Sequence, residues 1–126
     1  MPPEDDSARA LRSRLRADLL AAMKARQLEA VSALRTALAE IDNAEAVAAP
    51  VQDRKLASEH IAGASAGVGS TEAARRVLSL EELRALLRAQ VSERLAEAGR
   101  YDGLGQGEAA DRLRREAEVL GKYLGA

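Results

Sequence analysis

Apolar residues recur at intervals of three and four along most of this chain, a period that fits a helix and not a strand. The clearest case is Val31 to Glu45, VSALRTALAEIDNAE, where Val31, Leu34, Leu38 and Ile41 fall on one helical stripe. A half-buried strand would instead alternate apolar and polar residues. Composition points the same way. The only aromatic residues are Tyr101 and Tyr123, so the core must come from Leu, Ile, Val, Met and Ala. Such side chains suit close helix packing better than a sheet. The sequence therefore predicts an all-α fold.

In chain order, residues 1–6 read as a frayed start, with Asp5, Asp6 and Ser7 all competent N-caps. A first helix is expected over about 7–26, its stripe made by Ala8, Leu11, Leu15, Leu19, Ala22 and Met23 and widened by Leu20. A second is expected over about 28–49, ahead of Pro50. No Gly or Pro separates the two. Their stripes, however, differ in direction by roughly a quarter to a third of a turn, so one straight helix cannot serve both and a break falls near Gln27. Residues 50–78 read as a linker. Val51 to Ile61 has a weak apolar pattern, and Gly63 to Ser70, GASAGVGS, is flexible by composition. Ser79 with Glu82 forms a capping box, and Leu78 is placed to staple onto Leu83. A third helix follows over about 79–99, with Leu80, Leu83, Leu87, Val91, Leu95 and Ala98 on its stripe. Gly99, Gly103, Gly105 and Gly107 mark a turn. A fourth helix runs over about 106–124 through Ala110, Leu113, Ala117, Leu120 and Leu124. The expected architecture is a single four-helix domain over 7–126, two antiparallel hairpins joined by a long flexible linker.

At 126 residues the chain is one small domain. Its 19 basic and 20 acidic residues give a net charge of −1, which argues against a strongly electrostatic nucleic-acid binder but leaves room for a local basic face. There is no cysteine, hence no disulfide framework and no thiol chemistry. The start, MPPEDDSARA, lacks the apolar core of a secretory signal. No run approaches the roughly 20 apolar residues of a membrane span, so a soluble cytoplasmic protein is expected. Motifs for catalysis or cofactors do not assemble. Gly103 to Gly107, GLGQG, is no dinucleotide fingerprint, and Gly63 to Ser70 lacks the lysine of a phosphate loop. His60, the single histidine, has no partner arrangement and reads as a surface residue. Asp42 and Glu45 share a helix face, but a three-spaced carboxylate pair without histidine reads as surface or interface polarity rather than a metal site. No cofactor, no metal and no catalytic residue is assigned.

The basic residues are more informative. Arg9, Arg12 and Arg16 share one face of the first helix, and Arg12 and Arg16 have no acidic residue at i±4. On the fourth helix, Arg112, Arg115 and Lys122 sit among the i,i+4 pairs Glu108–Arg112, Asp111–Arg115 and Arg114–Glu118, which read as ordinary salt-bridged faces. Guanidinium groups match phosphate geometry, so the first-helix face is the candidate contact for nucleic acid. Tyr101 and Tyr123 lie at opposite ends of the second hairpin and cannot together stack bases. Each reads as a partly buried anchor.

Several of these positions fall into known motifs. Asp18-Leu-Leu-Ala-Ala-Met-Lys24 resembles D-L-K-x-A-M-K, with Leu20 in place of Lys. Leu34-Arg35, Ala39, Ile41, Asn43 and Glu45 resemble L-R-x-x-x-A-x-I-x-N-x-E. Leu78-Ser-Leu-Glu-Glu-Leu83 is similar to L-S-x-E-E, and Glu116 with Tyr123-Leu124 resembles a closing E…Y-L-P, with Gly125 in place of Pro. In this order and spacing the motifs resemble the YqeY-like family, related to the GatB-type tail domain of the glutamine-dependent aspartyl/glutamyl-tRNA amidotransferase. That resemblance implies a bacterial, all-helical domain associated with tRNA or an amidotransferase-type complex. It also brings a family label, carbon–nitrogen ligase with glutamine as amido-N-donor, for which this chain carries no serine–lysine machinery. Members of that family carry a further small helical subdomain beyond the Y-L-P position, which this sequence, reaching Ala126, is expected to lack. Lys24 and Arg35 join Arg9, Arg12 and Arg16 as candidate nucleic-acid contacts, while Asp18, Asn43, Glu45, Glu116 and Tyr123 form the polar set of the motifs. The alternative expectation is a protein-interaction module with no RNA role, centred on Asn43 and Glu45. Glu45 and Asn43 have a structural reading too, as ties from the end of helix two to the linker or to helix four. Several leucine-rich stripes leave a dimer open and the oligomeric state unread.

Overall fold

A computed structural model describes residues 4–47 and 77–125. Four α-helices make up the fold of these residues, with no strand among them: α1 (Glu4–Ala25), α2 (Leu28–Val47), α3 (Leu80–Gly103) and α4 (Gly107–Gly121), followed by a 3-10 turn at Lys122–Leu124. α1 already includes Glu4, so Asp5, Asp6 and Ser7 lie in its first turn rather than at its cap. The break between α1 and α2 is where the rotated stripes require it. Arg26 adopts a left-handed φ of 57°. Gln27 N–H donates to the Ala22 carbonyl at 3.0 Å and Arg26 N–H to the Met23 carbonyl at 3.2 Å. These bonds form a Schellman motif, which satisfies two of the carbonyls left open at the end of α1. The expected linker and its GASAGVGS run lie outside the described residues, except for Val77 and Leu78.

α3 opens on the expected capping box. Ser79 accepts from Glu82 N–H at 3.1 Å, and the Glu82 carboxylate accepts from Ser79 N–H at 2.9 Å. Its end differs from expectation. The helix passes through Gly99 and continues to Gly103. Four glycines in nine positions obscure which one ends the helix. The residue that does is Gly105, at φ 76°. Gln106 N–H reaches the Tyr101 carbonyl at 2.9 Å and Gly105 N–H the Asp102 carbonyl at 3.0 Å, a second Schellman motif.

Leu15, Leu34, Ile41, Leu83, Leu87 and Leu120 are fully buried and define the core, each contributing about 1.5–3 kcal/mol by leaving water. On α2 the buried face is turned toward Ala33 and Ala37, while Val31 and Leu38 are half-buried. α2 packs against both α1 and α4, and alanines at the contact let the helices approach closely. Three stripe residues are exposed against expectation: Leu20 at 60%, Met23 at 43% and Leu95 at 49%. Each lies at the edge of its stripe, and α1 buries Ala22 in place of Met23. No helix among the described residues is long and apolar enough to cross a membrane.

Candidate nucleic-acid interface

The arginine face of α1 divides into two chemically distinct parts. Arg12 lies at its inner edge. Its Nη2 donates to Glu45 Oε2 at 2.6 Å and to the Leu78 carbonyl at 3.0 Å, and both side chains of the pair are only 11% exposed. Glu45 Oε2 also accepts from Leu78 N–H at 3.1 Å. Arg12 and Glu45 together thus hold both backbone polar groups of Leu78, just before the α3 cap. The absence of an acid at i±4 is correct locally and misses this partner on the facing helix. Arg12 is thus engaged in an inter-helix ion pair and a backbone hydrogen bond, unlike the exposed cations of the same face.

Arg9, Arg16 and Lys24 are exposed on α1, and Arg35 is exposed on α2. Arg9 follows Asp5 by four residues, so the acid-free part of the face begins beyond it. Arg9 and Arg16 are two turns apart and nearly aligned, whereas Lys24 sits about 80° round the helix from Arg16. Arg16 also shares its flank with exposed Leu20 and Met23. The outer surface of α1 is thus cationic with two apolar groups set into it.

The motif residues have different environments. Tyr123 is buried, and its hydroxyl donates to Asp18 Oδ2 at 2.5 Å, joining the end of α4 to the middle of α1. Burial first, then this hydrogen bond to a carboxylate, push the Tyr123 phenol above its usual range. Arg14, one turn before Asp18, places its guanidinium carbon 4.9 Å from the centre of the Tyr123 ring. Glu116 of α4 accepts from Arg94 Nε of α3 at 2.9 Å, with both side chains 10% exposed. Arg94 also reaches the carbonyl and side chain of buried Gln90, each at 3.4 Å. Of the motif set, Asp18, Glu45, Glu116 and Tyr123 therefore tie helices together. Asn43 is exposed. The expected tie from helix two to the linker is made by Glu45 through Leu78, not by Asn43.

Sequence reasoning misses Arg14, Gln90 and Arg94. Arg14 and Asp18 are an i,i+4 pair of opposite charge. Gln90 and Arg94 lie seven residues after Leu83 and Leu87, so they occupy the apolar stripe of α3 itself. The signal for these two is a polar residue in register with a buried stripe.

The exposed ion pairs of α4 also differ from the local i,i+4 expectation. Arg115 reaches Glu29 of α2 at 3.2 Å, and Arg114 pairs with Asp102 of α3 and with Asp111. A hydrogen bond in the first turn of α2, then Arg115, hold the Glu29 carboxyl below its usual range. Among the described residues no group of His, Cys, Asp or Glu is placed to hold a metal ion. His60 lies outside them. Comparison with family models, with curated proteins and with solved structures finds no match to this chain.

Proposed function

We propose that this domain is a non-catalytic helical binding module that engages tRNA or a tRNA-handling complex through the outer face of α1. The observation that carries this reading is the division of the charged residues. Arg12, Arg94, Asp18, Glu45 and Glu116 bind helix to helix, while Arg9, Arg16 and Lys24 stand exposed on α1 and Arg35 on α2. The resemblance to the YqeY-like family supplies the ligand class, and phosphate-binding geometry supplies the residues. Binding of this kind releases counterions and weakens steeply with salt.

The test is a gel-shift titration with bulk tRNA at low and moderate salt. A saturable shift that weakens with salt is expected, and it should vanish in the triple variant Arg16→Glu, Lys24→Glu, Arg35→Glu with the helical CD spectrum unchanged. No shift at low salt, alone or with the amidotransferase complex added, overturns the proposal. Leu20 and Met23 favour one second reading, a protein partner seated on the same flank of α1. A specific partner retained after nuclease treatment and lost in Leu20→Ser would select it.

A further inference from the structure

An open cleft of about 380 Å³ separates the C-terminal half of α1 from the end of α4. Its apolar wall is made of small side chains. Ala21, Ala22 and Ala25 of α1 and Ala30 of α2 put nothing beyond Cβ into the space, and Gln27, Leu34 and Val119 complete the lining. Its polar rim carries Arg14, Lys122, Asp18 and Tyr123. This volume lies within the roughly 300–1,000 Å³ of small-molecule sites, which pair an apolar floor with a few placed polar groups.

The rim is partly pre-organised. Tyr123 occupies Asp18 Oδ2 through its hydroxyl and holds the Arg14 guanidinium 4.9 Å from its ring centre. A cation–π contact engages the charge of the guanidinium and does not consume its N–H donors as hydrogen bonds do. Among the described residues neither Arg14 nor Lys122 is in an ion pair, so the rim presents two cationic donor groups beside an uncharged floor. We infer that this cleft is a binding site for a small amphipathic carboxylate, its head group held by Arg14 and Lys122 and its hydrocarbon body laid along the alanines. A planar carboxylate suits the fork of Arg14, and a chain or ring suits the alanine-lined wall, where Gln27 is the one uncharged polar side chain besides Tyr123. Arg14 lies about 160° round α1 from Arg16, so this site is separate from the proposed tRNA face.

Octanoate is the probe, with octanamide as its uncharged counterpart, in a titration followed by the alanine methyl signals of the full chain. Saturable shifts confined to Ala21, Ala22, Ala25 and Ala30 are expected with octanoate, at least tenfold weaker with octanamide. Arg14→Gln with Lys122→Gln should weaken octanoate at least tenfold while leaving octanamide unchanged. Ala21→Leu, at an exposed position, should fill the cleft and abolish both. The inference fails if octanoate produces no saturable shift, if octanamide binds equally well, or if the double Gln variant retains octanoate affinity while its thermal melt matches the parent chain.

Discussion

The two helical hairpins close in the same way and are held in different ways. Each turn is a Schellman motif, and each hairpin carries one Arg–Glu pair sealed from most solvent. In the second hairpin the pair, Arg94 with Glu116, bridges the helices at mid-length, and its spare donor is absorbed within the same helix by Gln90. In the first hairpin the pair, Arg12 with Glu45, sits at the open end and shares its atoms with Leu78. The first pair is therefore also a clamp on the approach to α3, whereas the second is internal to its own hairpin. Similar residues at similar depth acquire different roles through which backbone groups they must satisfy.

Replacing both partners by apolar residues tests this contrast most severely. Truncating one partner, Glu116→Ala or Glu45→Ala, should cost about 3–5 kcal/mol in either hairpin, because a buried cation is left behind. Urea unfolding measures it. The double variant Arg94→Met with Glu116→Leu should recover most of that loss, since a sealed ion pair and an apolar pair of similar volume are nearly equivalent. Arg12→Met with Glu45→Leu should recover about 1–3 kcal/mol less, because Leu78 N–H and C=O lose their partners. Equal recovery in the two hairpins would erase the distinction.

The contact between the hairpins gives the next effect. Tyr123→Phe removes a hydrogen bond to a charged group and should cost about 1.5–3 kcal/mol at neutral pH. Its pH dependence has a definite sign. The native phenol holds its proton more tightly than the unfolded one, so its stabilisation is complete below the unfolded value of about 10 and is lost as pH rises toward the native value. Parent and Phe variant should therefore converge in stability above pH 10, and parallel curves there would show that the phenol is not perturbed.

The turns give the smallest effect. Gly105→Ala should cost about 1 kcal/mol from backbone strain alone, since an added Cβ meets nothing within 4 Å. Arg26→Gly relieves the same strain in the first turn but loosens the unfolded chain, for a net gain of about 0.5 kcal/mol in a thermal melt. A loss at Arg26 would mean that the arginine side chain contributes more than its backbone costs.

Much of the fold is legible in the sequence because it follows local rules. The three-four stripes mark the helices, the rotation between stripes marks the break at Gln27, and Ser79 with Glu82 marks the start of α3. The end of α3 is not legible, because a Schellman turn needs one left-handed residue and the sequence offers several glycines. In the first turn it uses an arginine, which carries no such mark. The candidate interface is half legible. Exposure of Arg16 and Lys24 follows from their places away from the stripe, but Arg12 sits on its border. Its role depends on Glu45, which continues the Leu38–Ile41 register of α2 and looks in the sequence like the end of that stripe. Charge patterns along one helix register neighbours at i±4 and are blind to an acid 33 residues away.

The hydroxyl of Tyr123 also bears on the lifetime of the folded state. Its partner Asp18 lies 105 positions earlier, whereas Arg94 and Glu116 are separated by only 22. Loop-closure entropy favours the nearer pair, which predicts that α3 and α4 dock before α1 meets the end of α4. A contact formed after the folding barrier has been crossed does not hasten folding and instead slows escape from the native state. The bond between Tyr123 and Asp18 is therefore expected to act as a late latch, so that Tyr123→Phe should speed unfolding more than it slows folding in a stopped-flow measurement.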